Sequence, residues 1–271
     1  MREIIRSFGK INWSLRILSK RGDGFHELET VFQQISLHDL LTIEPSDTLT
    51  LTCSDSSIPV DDTNLIVRAA RAIGAPATSI HLDKQIPAGG GLGGGSSNAA
   101  ATLIALDRMF AMNTSRDRLH EIASSLGSDI PFFLLGGTAY ATGRGEILTP
   151  LPPVAHVPLV LVLPEERVLT KDAFAAVHSY SRPAGIERYQ QAIGRDLFSE
   201  PELLTNDFEE GVFSRLPQLG RWRQQLLDSG AVWAGMTGSG STLVGAFASL
   251  HARDDALGEI TGVNAVAAET M

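Results

Sequence analysis

The chain has 271 residues, enough for one large domain or two modest ones, and with 43% apolar and 20% charged residues it has the composition of an ordinary soluble globular protein. A net charge of −9 argues against a nucleic-acid partner, whose affinity rests on neutralised phosphates, and leaves anionic ligands to be held by local donors and metal. One cysteine, Cys53, excludes an internal disulfide framework and fits a reducing, cytoplasmic setting; the opening MREIIRSFGK has no apolar signal core, and the longest apolar run, 159–163, is too short to cross a bilayer.

In chain order, Ile11, Trp13, Leu15 and Ile17 alternate with Lys10, Asn12, Ser14 and Arg16, which predicts a half-buried strand with Lys10 and Asn12 on one face. Residues 42–53 and 79–86 read as further strands. Residues 64–73 read as a helix, with Asp61, Asp62, Thr63 or Asn64 as candidate cap. Next come six glycines in seven positions around Leu92, then Ser96, Ser97 and Asn98, and a helix over 99–110 for which these three are candidate caps. Residues 114–126 read as a helix opened by a capping Ser or Thr, Ser128-Asp129-Ile130-Pro131 as a helix start, and 138–142 as a strand. Four prolines within 148–158 mark a domain boundary, dividing the chain into 1–150 and 151–271. Beyond it, 159–163 reads as a buried strand, 171–180, 186–197 and 217–229 as helices, and 231–236 with 242–248 as a hairpin around the turn 237–242. A last helix and strand complete a ferredoxin-like order with inserted helices.

The glycine loop carries the chemistry. Running from a strand into a helix N-terminus, it offers backbone N–H groups and a helix dipole to an anion, most naturally a phosphate. A dinucleotide fold, hence an oxidoreductase, needs a second strand ending in an acid about 20 residues on, and that region reads as a helix. A P-loop needs Gly-Lys-Ser/Thr after the glycines, and the protein-kinase signatures V-A-I-K, H-R-D and D-F-G do not occur. A flexible linker is disfavoured by its tight flanks. The seven histidines and one cysteine show no zinc spacing.

The loop resembles the phosphate-binding motif of the GHMP kinase superfamily. Further matching segments are 9–12 (GKIN), 21–28 (RGDGFHEL), 64–70 (NLIVRAA), 127–133 (GSDIPFF), 143–148 and 237–241 (TGSGS), in order over almost the whole chain. The resemblance implies an α+β protein of two domains, ribosomal-protein-S5-like then ferredoxin-like. It implies an ATP-dependent small-molecule kinase with Mg²⁺. It narrows to members that phosphorylate an alcohol carrying a cytidine diphosphate, in the non-mevalonate route to isoprenoid precursors, with no nucleic-acid or membrane partner and a monomer or weak homodimer as the assembly. The rivals are a kinase with another alcohol acceptor and a non-catalytic RNA-binding protein on the S5-like domain, against which the acidic charge weighs.

By the same resemblance Asp129 is the catalytic base, although from the residues alone the helix cap is the favoured reading. Lys10 is the active-site lysine near it, where an exposed strand lysine is the ordinary reading. Ala88, Gly89, Gly90, Gly91, Leu92, Gly93, Gly94, Gly95, Ser96, Ser97 and Asn98 hold ATP phosphates, Ser97 is a candidate Mg²⁺ ligand, and Asn64 borders the nucleotide. Asn12, Phe25, His26, Phe174, Gly238 and Ser239 face the acceptor. His26 and Phe25 stand where the family reads cytosine, with Phe174 opposite; otherwise His26 is a solvated loop residue, Phe174 a core residue and 237–242 a plain turn. The family often has Tyr at the Phe25 position; Phe keeps the stacking face and loses the hydroxyl.

Overall fold

The computed structural model describes residues 2–154 and 156–271. Two long strands, β1 (Glu3–Lys20) and β2 (His26–Pro45), pair with one another and run through both of the compact units into which the chain divides.

The first unit takes in residues up to 9, 37–88 and 93–136. Here β3 (Thr50–Cys53) runs parallel to β4 (Thr78–Asp83), the two joined by α1 (Leu65–Ile73), and β4 pairs antiparallel with the end of β2. The strand expected over 42–53 is thus two strands. β2 ends at Pro45, which has no ladder N–H to give, and the chain turns before β3. Asn64, rather than an earlier residue, caps α1 by accepting from the Ile66 N–H, and Gly74 ends the helix at φ 74°. α2 (Gly94–Met109), α3 (Arg116–Leu126), capped by Ser115, and α4 (Ile130–Leu135) pack with α1 around Ile66, Leu103, Ile122 and Phe132. The buried Asp39–Lys84 ion pair (2.7 Å) fixes the strand-to-loop passage, because Asp39 Oδ1 also accepts from the Gln85 and Ile86 N–H groups at 2.7 Å.

The second unit comprises residues 10–36, 89–92 and 137–271. The start of β2 pairs antiparallel with β5 (Thr138–Gly143), which pairs with β6 (Ile147–Pro150). A four-stranded sheet in the order β10-β7-β9-β8 follows, from β7 (Pro158–Leu163), β8 (Trp233–Met236), β9 (Leu243–Ala246) and β10 (Asn264–Glu269). That is the ferredoxin-like order, with neighbours antiparallel. Its helices are α5 (Thr170–Ala175), α6 (Ile186–Ile193), α7 (Glu209–Arg215), α8 (Pro217–Asp228) and α9 (Leu250–Glu259). α5 and α6 are shorter than the helices expected over 171–180 and 186–197, and α6 stops before Gly194. Ile17, Val160, Val162, Phe208, Leu219 and Phe247 form the core.

One expectation fails, and most of one strand gives no signal in the sequence, for the same reason. β1 is buried on both faces from Gly9 to Leu15 rather than half-buried, and the first two-thirds of β2 has no alternating signature. Polar side chains occupy buried positions there because each finds partners. Glu29 is fully buried and accepts from the Tyr140 hydroxyl (2.8 Å) and from the Ala184 and Gly185 N–H groups. Burial, then the Glu29 carboxylate, pushes the Tyr140 phenol far above its ordinary value. Gln33 accepts from Thr138 Oγ1 at 2.7 Å.

Candidate active site

The glycine loop falls partly in each unit. In the first, α2 begins at Gly94, five residues earlier than expected, so Ser96, Ser97 and Asn98 lie inside its first turns and are not caps. The position before it is Gly93, at φ 69°, which makes no side-chain cap bond. The first N–H groups of α2 therefore have no capping side chain, and the helix dipole adds positive potential there. Gly94 is tightly packed: an added Cβ would lie 3.0 Å from Ile86 Cγ2 and 3.1 Å from Lys84 Nζ, so those side chains would have to give by a few tenths of an ångström. The Ser97 hydroxyl is buried; it donates to the Phe8 carbonyl (2.6 Å) and accepts from Ser7 Oγ (2.7 Å). Asn98 is buried too, its amide oxygen without a hydrogen-bond donor.

In the second unit, Gly89 and Gly91 take φ of 76° and 83°, the left-handed region that favours glycine. The Leu92 carbonyl accepts from the Lys10 N–H (3.0 Å), and that of Gly90 from the Thr242 N–H (3.3 Å). Gly91 meets the 237–242 turn closely enough that an added Cβ would stand 2.1 Å from the Thr237 carbonyl oxygen. This turn joins β8 to β9 and does more than reverse the chain. Its Gly238 N–H donates to Asn12 Oδ1 (3.0 Å), and the Thr237 hydroxyl lies 3.2 Å from the same oxygen. Ser239 Oγ pairs with Thr170 Oγ1 at 3.1 Å, and Ser241 Oγ donates to the Glu166 carbonyl.

Lys10 is only 3% exposed, against the solvated lysine that strand statistics favour. Its ammonium donates to Asn12 Oδ1 at 2.6 Å and lies 5.4 Å from the centre of the Phe32 ring. A cation kept from water beside a glycine loop exerts a stronger field than an exposed one.

Asp129 precedes α4 and Pro131 sits in the first turn, as the sequence indicates, but the cap reading does not hold. At φ −83° and ψ −15° the residue is helical, whereas a capping carboxylate needs an extended backbone to reach the N–H groups ahead of it, and no cap bond forms. Asn64, by contrast, is engaged on both sides, accepting from Ile66 N (2.9 Å) and donating to the Pro59 carbonyl (2.6 Å).

His26 opens β2 and is half-buried, not a free loop residue. Its imidazole stacks on Phe174 at 4.4 Å between centres and 10° between planes, and Phe174 in turn meets Phe208 edge-on at 4.9 Å. Phe174 is therefore both core and wall. The Tyr180 ring centre lies 6.4 Å from that of His26, tilted by 52°. Phe25 is 52% exposed, with the Arg144 guanidinium 4.7 Å from its ring centre. Arg144 and Tyr180 escape a reading of the sequence because neither spacing nor composition sets them apart, and Thr30, which accepts from Asn12 Nδ2 (2.7 Å), stands in the unpatterned stretch HELETVFQQ with no signal of its own.

Burial, and secondarily the charge of Lys20, holds the His26 pKa below its ordinary value. The unfolded chain thus takes up this proton more readily, so the stability that neutral His26 contributes is complete above about pH 6.5 and is lost as pH falls through the folded-state value. Between about pH 7.5 and about pH 5.5 the denaturant midpoint of the wild-type protein should fall further than that of His26→Gln; equal falls would contradict this.

Among the described residues no group of three His, Cys, Asp or Glu side chains could hold a metal ion, and no helix is long and apolar enough to cross a membrane. The family description "GHMP kinases N terminal domain" matches residues 64–137, and "GHMP kinases C terminal" matches 189–264. A protein of Chlorobium limicola named 4-diphosphocytidyl-2-C-methyl-D-erythritol kinase is 42% identical over 264 residues, covering 93% of this chain and 91% of its own. One of the same name from Prosthecochloris aestuarii is 40% identical, covering 90% and 88%. A crystal structure of 4-(cytidine 5'-diphospho)-2C-methyl-D-erythritol kinase superposes with a TM-score of 0.85 at 33% identity, over 99% of both chains. The mevalonate kinase of Methanococcus jannaschii, 14% identical, shares the fold with a TM-score of 0.73 over 100% of this chain and 99% of its own. Fold and matched domains together define a GHMP kinase, an ATP-dependent enzyme. Within that class the chain belongs to the 4-diphosphocytidyl-2-C-methyl-D-erythritol kinase family.

Proposed function

We propose that this chain transfers the γ-phosphoryl group of ATP to the 2-hydroxyl of 4-diphosphocytidyl-2-C-methyl-D-erythritol, giving the 2-phosphate and ADP. The observation that carries the reading is 42% identity over 93% of the chain to a kinase named for that alcohol. Phosphoryl transfer asks a protein mainly for positioning and charge stabilisation. In this reading residues 88–98 hold the ATP phosphates, Asn64 borders the nucleotide, and the division near residue 150 separates a nucleotide-binding domain from a substrate-side one. Asp129 accepts the proton of the 2-hydroxyl as its oxygen bonds to the γ-phosphorus and the bond to the β-phosphate oxygen breaks. Lys10 supports the negative charge developing on the transferred group.

Mg²⁺ neutralises phosphate charge when it enters with ATP. Ser97 suits such an ion: a hydroxyl has one hydrogen and two lone pairs. Its hydrogen goes to Phe8 and one lone pair faces Ser7, so one lone pair remains.

At the cytidine end, neutral His26 offers one donor and one acceptor nitrogen to a neutral base, while the Phe174 and Phe25 rings offer stacking faces. A base–aromatic contact contributes about 1–3 kcal/mol, so Phe174→Ala should raise the acceptor KM roughly tenfold and move kcat less; an unchanged KM would remove Phe174 from the site. The reading itself is tested by coupled ADP release with Mg-ATP and four acceptors: 4-diphosphocytidyl-2-C-methyl-D-erythritol, mevalonate, homoserine and galactose. Turnover confined to the first supports it. Turnover with another keeps the kinase and discards the cytosine site, and turnover with none sinks it.

A further inference from the structure

We infer that Asn12 is a positioning residue: its carboxamide sets the Lys10 ammonium and the 237–238 turn in a single arrangement and does not contact the acceptor. The inference rests on the kinase reading above and assigns Asn12 a different role from the substrate contact that the sequence suggests.

The amide oxygen of Asn12 has two lone pairs, and three donors converge on it: Lys10 Nζ at 2.6 Å, Gly238 N at 3.0 Å and Thr237 Oγ1 at 3.2 Å. Its amide nitrogen donates to Thr30 Oγ1 at 2.7 Å, and Thr30 donates onward to the Ser14 carbonyl. Its backbone N–H donates to Thr237 Oγ1 at 3.0 Å. The residue is 3% exposed, and its one remaining amide hydrogen is on the nitrogen already turned toward Thr30. The Thr237 backbone that Asn12 anchors is what Gly91 packs against. One side chain thus sets the distance from Lys10 to the turn, and through the turn to the phosphate loop. Leucine at this position would fill the same space and keep the backbone N–H bond to Thr237, but it would take the amide oxygen away from the Lys10 ammonium and the Gly238 N–H.

Steady-state kinetics of Asn12→Leu and Asn12→Asp test this, since misplacing a catalytic group by about 1 Å can cost about 10²-fold in rate. Asn12→Leu should lower kcat by about 10²-fold with both KM values within about threefold, because ground-state contacts are untouched. Asn12→Asp keeps the acceptor oxygen for Lys10 and Gly238 and should restore at least about tenfold of that loss. A rise of about tenfold in acceptor KM with kcat preserved would make Asn12 a substrate contact and overturn the proposal, as would equal losses in the two variants. Acetic-anhydride labelling read by mass spectrometry gives a measure independent of turnover. Lys10 should be protected in the wild-type protein and labelled at least about fivefold faster in Asn12→Leu, as the buried ammonium loses its bond to the Asn12 oxygen; unchanged labelling overturns the proposal. If the wild-type protein turned over no acceptor, the kinase reading would fall while the labelling still decided the role of Asn12. Should Asn12→Leu fail to fold, Thr30→Val removes the partner of the amide nitrogen, together with the onward bond to the Ser14 carbonyl, and leaves the Asn12 oxygen contacts in place. It should lower kcat by about threefold to tenfold at unchanged KM, and a wild-type kcat there refutes the inference.

Discussion

Asp129→Asn lowers kcat by about 10²- to 10⁴-fold, the range expected when a positioned base is lost, and leaves both the fold and ATP binding intact. The second half of that statement comes from the geometry. Were Asp129 a helix cap, asparagine would retain the function and alanine would cost about 1 kcal/mol; since it makes no cap bond, α4 does not depend on the carboxylate. The denaturation midpoint of the variant should therefore match wild type within about 0.5 kcal/mol, and Mg-ATP should raise the Tm of both equally. Lys10→Met is the companion variant, keeping the apolar stem and removing the charge, with an expected loss in kcat of about 10²- to 10³-fold. A near-normal kcat in either variant takes that residue out of the mechanism.

Gly91→Ala should be the most damaging single methyl in the glycine loop. The backbone sits at φ 83°, which costs a residue with a Cβ roughly 1–2 kcal/mol. The new carbon would fall 2.1 Å from the Thr237 oxygen and 3.0 Å from its carbonyl carbon. Both obstacles are backbone atoms, so no rotamer relieves the contact, and the turn must retreat from Lys10 and Asn12 as well. Overpacking adds about 1–3 kcal/mol, for a total of about 2–5 kcal/mol; kcat/KM should fall at least about 10²-fold because the anchored turn moves. Gly89→Ala is the control, at φ 76° but with nothing within 4 Å of the added carbon. It should show the conformational cost alone. Denaturant titration of the two variants checks the difference, and equal destabilisation would mean that the close approach to Thr237 is not the cause.

Much of this was readable from the residues, for definite reasons. The ferredoxin-like sheet follows from apolar runs and a turn that declare themselves locally, and α1 and α3 from their caps and spacing. Most of β2 was not readable: Glu29, Thr30, Gln33 and Asp39 interrupt the alternation, and each is tolerated inside because of partners on other parts of the chain. The start of α2 at Gly94 was hidden similarly. Glycine is a poor helix former, and what admits it here is the close packing of Ile86 and Lys84, which no local propensity encodes. At the site, the sequence named Lys10 but favoured exposure, because burial of a lone lysine is rare unless it is paired; the pairing with Asn12 is a fact of tertiary structure. From its own residues Phe174 reads as a core side chain, and only the family resemblance sets it opposite Phe25 and His26. Its stacking on His26 depends on a loop geometry that nothing in its own neighbourhood announces.

The hydrogen bond from Asn12 to Thr237 spans 225 positions of sequence. On a ribosome adding roughly 5–20 residues each second, a nascent chain carries its lysine and its glycine loop for many seconds before the turn that braces them exists. Through that interval Lys10 lacks the bracing of the turn, and closing so long a loop is entropically costly and slow. The enzyme is thus completed late in synthesis. Chains arrested before residue 237 should bind no acceptor even where their first helices have already folded.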